Sequence, residues 1–209
     1  MLQMLVMLAM LTVPQAKAPA APQVPEGWQV RVDGGDHGTA DASGVSFVTM
    51  PPGWHVTTGP AAILYRPAGK ATGAYTVRSE IFQFDPGTRR EGYGLLIGGK
   101  ALDTPQQAYT YFLIRRSGEF LIKRRTGGTT ATVKDWTPSP AIVKFDDRKA
   151  GQQSVKNALE VRVAADTTAF LVNGTEVARV PTKELDTDGV VGLRVNHQLN
   201  LHVSLLEVK

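Results

Sequence analysis

The sequence predicts an all-β protein, a sandwich of antiparallel sheets, and three observations carry that prediction. Apolar and polar residues alternate with a period of two in segment after segment, the pattern of strands with one buried face. Beyond the first two dozen residues no stretch sustains a 3.6-residue period, so helices should be few and short. The 209 residues include 21 Gly and 13 Pro, enough turn formers to punctuate many short strands.

The elements follow in order. Residues 28–33 read as a first strand and 34–44 as a Gly- and Asp-rich loop. Segments 45–50, 54–58 and 61–66 are short strands separated by Pro-Pro-Gly and Gly-Pro. Segment 75–84 is longer and closes on Asp85-Pro86-Gly87. Segment 91–97 ends at Gly98-Gly99, and 109–116 is rich in aromatic and β-branched residues. Ser117-Gly118 predicts a two-residue hairpin loop into 119–125, and Gly127-Gly128 a turn into 130–136.

From 137 to 156 the alternation fails, and the segment reads as an irregular excursion within one domain. Alternation returns in 157–164, where Leu159, Val161 and Val163 interleave with Glu160 and Arg162. Segment 167–172 runs into Asn173-Gly174, the strongest short hairpin signal because both residues tolerate φ > 0. Segment 175–180 is the return strand, 181–188 holds at most one helical turn, and 189–196 and 199–208 finish the chain. If the last two strands are neighbours, burial favours Val195 opposite Leu201, which sets Arg194 beside His202. So many short strands imply two packed antiparallel sheets or a barrel, and the long apolar last strand favours a jelly-roll sandwich.

Residues 1–13 are almost wholly apolar and too short to span a bilayer, which takes roughly 20 residues. With the small residues around Ala18 and Ala20 they predict a signal peptide over 1–20, although no Lys or Arg precedes the apolar run. Residues 21–27 then form a linker and 28–209 a single domain. The expected product is periplasmic or secreted, with no membrane span once the signal is removed. The chain has no Cys, which excludes disulfides, thiolate metal sites and Cys nucleophiles. The net charge of +4 is mild, and adjacent basic residues on a strand point to opposite faces, which argues against nucleic acid as a partner.

Three segments are similar to the close of a known superfamily: Asn157-Ala-Leu-Glu-Val-Arg-Val163, Phe170-Leu-Val-Asn-Gly174 and Asp188-Gly-Val-Val-Gly-Leu-Arg194. Together with segments 91–97, 109–114 and 118–122, they resemble the core strands of concanavalin A-like lectins and glucanases. The nearest named resemblance is to the 3-keto-disaccharide hydrolase domain family of secreted bacterial proteins. The resemblance covers most of the mature chain and implies a jelly roll and a carbohydrate partner. No catalytic residue carries over, since none matches.

A retaining glycosidase needs two carboxylates roughly 5 Å apart. The superfamily's glucanases set them in Glu-x-Asp-x-(x)-Glu, which is missing here. In Glu80-Ile-Phe-Gln-Phe-Asp85 the odd spacing sends the two carboxylates to opposite faces. No pair among His37, His55, His197 and His202 has the i,i+4 or two-apart spacing of a metal site, which argues against zinc. Asp33, Asp36 and Asp41 in a Gly-rich loop offer oxygen ligands for calcium, but an ordinary Asx-rich turn is the favoured reading. Sugars stack on aromatic faces, making Trp54, Tyr65, Tyr93, Tyr109, Tyr111 and Trp136 candidates, each more simply read as packing. The expected binding groove combines Arg78, Glu80, Tyr93 and Tyr111 with Arg194 and His202. The sequence therefore predicts a non-catalytic glycan-binding module. The alternatives are a glycoside hydrolase using Glu80 and a structural or protein-interaction sandwich of the cell envelope.

Overall fold

The computed structural model describes residues 24–33 and 44–209. The expected signal peptide 1–20, the start of the linker, and His37, Asp36 and Asp41 lie outside the described residues.

Among the described residues fourteen strands pair antiparallel into two seven-stranded sheets. The front sheet runs β1 (Gln29–Val32), β4 (Ala62–Ala71), β13 (Gly189–Val195), β6 (Gly92–Lys100), β7 (Ala108–Arg115), β8 (Glu119–Thr126) and β9 (Thr129–Pro138). The back sheet runs β12 (Thr175–Pro181), β11 (Thr167–Val172), β10 (Ser154–Val163), β5 (Tyr75–Phe84), β14 (Asn200–Val208), β3 (Trp54–Thr58) and β2 (Val45–Thr49). Among the described residues the only helical turns are 3-10 turns at Phe145–Asp147 and Thr182–Glu184. The all-β jelly-roll sandwich expected from the sequence is the observed fold.

The alternation read from the sequence becomes burial. On β5 it is complete: Val77 and Ile81 are buried while Arg78 and Glu80 remain half-exposed on the other face. Val77, Ile81, Leu159, Phe170 and Leu201 from the back sheet meet Leu64, Leu95, Phe112, Phe120 and Leu193 from the front. Phe112 and Phe170 span the interface at 5.2 Å between ring centroids, and Trp28 packs edge-on against Trp54 at 5.0 Å. Each such side chain contributes about 1.5–3 kcal/mol on burial. The core is therefore distributed over both sheets.

Asn173 and Gly174 adopt φ of 50° and 82°, the two positive values a type I′ turn requires. The loop between β7 and β8 differs from expectation. Arg115 pairs with Glu119, leaving a three-residue loop whose last residue, Gly118, has φ 86°. Gly98-Gly99 also does not end β6. The strand bulges there and continues to Lys100, with Gly98 at φ 65° beneath the backbone of Asp186, where a Cβ would sit 2.2 Å from the carbonyl oxygen.

The irregular excursion narrows to residues 139–153, because β9 and β10 both extend into it. It is pinned rather than loose. Ile142 and Phe145 are buried. Asn157 bonds both backbone groups of Val143, at 2.9 and 3.0 Å, while Asn173 Nδ2 donates to Ala141 O and Asn157 Oδ1, each at 2.8 Å.

The last two strands are not neighbours. β13 lies between β4 and β6 in the front sheet, while β14 lies between β5 and β3 in the back sheet. The register placing Val195 opposite Leu201 is thus overturned, and Val195 pairs with Ala62 and Tyr93. Both strands carry one apolar row, and facing those rows across the sandwich buries both without joining the strands.

Candidate functional site

The outer face of the front sheet collects polar and aromatic groups that the core has no room for. Leu193 and Val195 point inward on β13, so Arg194 between them points outward, in register with Ile63 and Gly94. The same logic sends Arg31 outward from β1, Tyr109 and Tyr111 from β7, and Lys123 and Arg125 from β8. β1 and β8 are five strand spacings apart, roughly 24 Å across a flat sheet. Asp33 Oδ2, just past β1, is nevertheless 3.1 Å from Arg125 Nη1 on β8. The sheet must curl strongly, with this face on its concave side.

At the floor of that concavity Asp33 is shared between two guanidiniums, Arg194 Nη2 at 2.5 Å and Arg125 Nη1 at 3.1 Å. Arg31 anchors the 101–107 loop over the sheet by donating to the carbonyls of Leu102, at 2.7 Å, and Thr104. With its oxygen facing them, the Gln107 amide accepts from Arg125 Nε at 3.1 Å and Arg31 Nη2 at 3.3 Å. Leu102 packs with Ile63, Tyr65, Leu96, Tyr109 and Val190 in a second, smaller apolar cluster beneath that loop.

Arg194 and Arg125 outnumber the Asp33 carboxylate between them, and charge and burial move the local pKa values. Burial alone would raise Asp33, but the hydrogen bond and charge of Arg194, with Arg125, outweigh it and hold the carboxyl below its ordinary value. Burial pushes Tyr109 and Tyr111 up, so both stay protonated donors. Two buried donors in this floor lack an acceptor: Arg194 Nη1 and the hydroxyl of Tyr109, beside which Arg125 stands as a further donor.

Farther along the face Trp136 lies over Gly92, whose missing side chain makes the space: a Cβ there would come 2.9 Å from the Trp136 ring edge. The Arg115 guanidinium stacks on that ring 4.3 Å from its centroid. Arg115 Nε also donates to Glu119 Oε2 at 2.8 Å. That bond, with Ser117, lowers the Glu119 pKa to about 2.

The six residues expected to form one groove divide among three places. Tyr111 and Arg194 share the concave face. Tyr93 is buried in the inter-sheet core, because β6 turns it inward with Leu95. Arg78, Glu80 and His202 lie on the outer face of the back sheet, where Glu80 pairs with Arg78 at 2.5 Å and Lys156 at 3.5 Å. Arg194 and His202 therefore stand on opposite sides of the molecule. Among the other aromatics, Trp54 is in the core, whereas Tyr65, Tyr109 and Trp136 face outward.

The sequence reading missed Arg31, Arg125 and the role of Asp33. One signal was present: Lys123 and Arg125 are two apart on a strand, so they share a face, with Arg124 between them reaching Asp186 on the other side.

No protein-family model matches the chain, and no curated protein sequence matches it either. Solved structures do. The carbohydrate-binding module CBM66 from Bacillus subtilis superposes with a TM-score of 0.62 at 12% identity, covering 88% of this chain and 95% of that one. A Bacillus subtilis protein of unknown function with a galectin-like fold gives 0.63 at 12% identity, over 88% and 89%. A GH16 protein of the Bacteroides ovatus mixed-linkage glucan locus, in complex with a product, gives 0.59 at 6% identity, over 87% and 94%. At such identities the likeness is one of fold, that of the galectin-like and concanavalin A-like sandwiches.

Proposed function

We propose that the protein is an exported, non-catalytic carbohydrate-binding module that holds its glycan on the concave face of the front sheet. The observation that carries this reading is the curled face itself, on which the half-exposed Tyr111, Lys123 and Arg125 stand with the Arg115–Trp136 stack. Tyr111 and Trp136 offer aromatic faces to sugar C–H groups. The surplus of guanidinium over carboxylate favours glycans bearing acidic groups over neutral ones.

A glycoside hydrolase has less support. Its general acid needs a raised pKa, and among the described residues the carboxyls of Asp33 and Glu119 are both lowered. Export rests on the apolar segment 1–13 and the small residues after it. Membership of the 3-keto-disaccharide hydrolase domain family is the finer form of the resemblance, supported by the strand motifs ending at Arg194.

Glycan arrays followed by calorimetry on acidic and neutral polysaccharides test the reading. Binding is expected to weaken at least about tenfold in Tyr111→Ala with the melting temperature nearly unchanged. Failure of every glycan to bind, or equal binding by the variant, overturns it.

A further inference from the structure

The outer face of the back sheet holds an arrangement that glycan binding leaves unused. β3 and β14 are neighbours, and their register sets His55 directly opposite His202. Trp54 and Val56 on one strand, and Leu201 and Val203 on the other, point into the core, so both imidazoles project outward. Their ring centroids are 6.2 Å apart. Phe84 packs on His55 at 4.8 Å and Phe82 on His202 at 5.7 Å.

Each ring has one nitrogen that is buried and bare. His55 Nε2 meets Asn200 Oδ1, a carbonyl oxygen that can only accept, so Nε2 carries the proton. His202 lies against the backbone of Pro52. The nitrogen left without a partner is Nδ1 in both rings, and in both it is buried.

His55 is set up as a metal-ligating histidine is, with one ring nitrogen on an oxygen and the other left without a partner. Two imidazoles on one ion, with nitrogen–metal distances of about 2.0–2.1 Å, place ring centres roughly 4.5 Å apart at a right angle and roughly 6.4 Å apart when trans, so the observed 6.2 Å corresponds to a wide, nearly trans arrangement. Among the described residues no third His, Cys, Asp or Glu joins them. We propose that Nδ1 of His55 and Nδ1 of His202 form a two-imidazole site for a divalent transition metal, with water completing the coordination. Imidazole without thiolate suits Cu2+, Ni2+ and Zn2+, and the order of stabilities makes Cu2+ the tightest. The site lies one strand in from the edge strand β2, where Val48, opposite His55, is exposed.

Titration of the full chain with Cu2+ and then Zn2+ by calorimetry tests this, together with electron paramagnetic resonance of the Cu2+ form. Expected are a 1:1 complex, coupling to two imidazole nitrogens, and tighter binding of Cu2+ than of Zn2+. His55→Ala and His202→Ala should each weaken Cu2+ binding at least about tenfold and leave one coupled nitrogen, whereas His197→Ala should change neither. A wild-type spectrum with no coupled imidazole, or with one, overturns the proposal without recourse to any variant. Unchanged affinity in His55→Ala overturns it equally.

Discussion

The two outer faces of this sandwich are built from the same kinds of residue and use them differently. On the back sheet Glu80, Arg78 and Lys156 form ion pairs whose side chains stay 24–48% exposed. On the front sheet Asp33 and Arg194 pair with side chains only 21% and 11% exposed, beneath a loop anchored by Arg31. Water can replace a lost partner on the first face but not on the second. The lesson is that charge becomes structurally and functionally consequential here only where sheet curvature has removed solvent.

That contrast can be broken by mutation. Arg194→Met leaves the Asp33 carboxylate with Arg125 alone in a dry floor, and is expected to lower stability by about 3 kcal/mol in urea denaturation at pH 7. A loss under about 1 kcal/mol would mean that the front face is as solvated as the back. The next effect is on pH dependence. Asp33 has a folded pKa below its unfolded value of about 3.9, so its contribution is fully present above that value and disappears as pH falls through the folded pKa. The stability gap between wild type and Asp33→Asn should therefore be constant from about pH 6 to 8 and close below about pH 4. A gap that widened on acidification would contradict the sign. Smallest of all, Glu80→Gln on the back face should change stability by no more than about 1 kcal/mol. The same variant also tests the hydrolase alternative, since glycoside cleavage lost on this substitution would make Glu80 catalytic.

The candidate site was only partly legible from sequence, and its residues show why. Tyr111 and Arg194 are 83 positions apart by their numbering, and a two-residue period says only that each faces away from the apolar row of its own strand. That rule placed both correctly. It could not separate the outer face of one sheet from that of the other, which is why Arg78, Glu80 and His202 were grouped with them. Tyr93 failed for a different reason: between Gly92 and Gly94 it has no apolar neighbours at i±1 to betray its side, and an aromatic with a hydroxyl fits a core as well as a groove. The His55–His202 pair was invisible because cross-strand neighbours far apart in the chain leave no spacing to read.

What the sequence determined by itself was local: the strands, through alternation; the hairpin at Asn173-Gly174, through the positive φ it demands; and hence an all-β sandwich. The tertiary structure decided which strands lie together. β13 and β14 follow each other in the chain yet enter different sheets, because alternation specifies that an apolar row must be covered but not by which neighbour. From that one decision follow the separation of Arg194 from His202, the meeting of Arg194 with Asp33, and the pairing of His202 with His55. Backbone chemistry and side-chain period act over a few residues, whereas a site is assembled by packing across the whole chain.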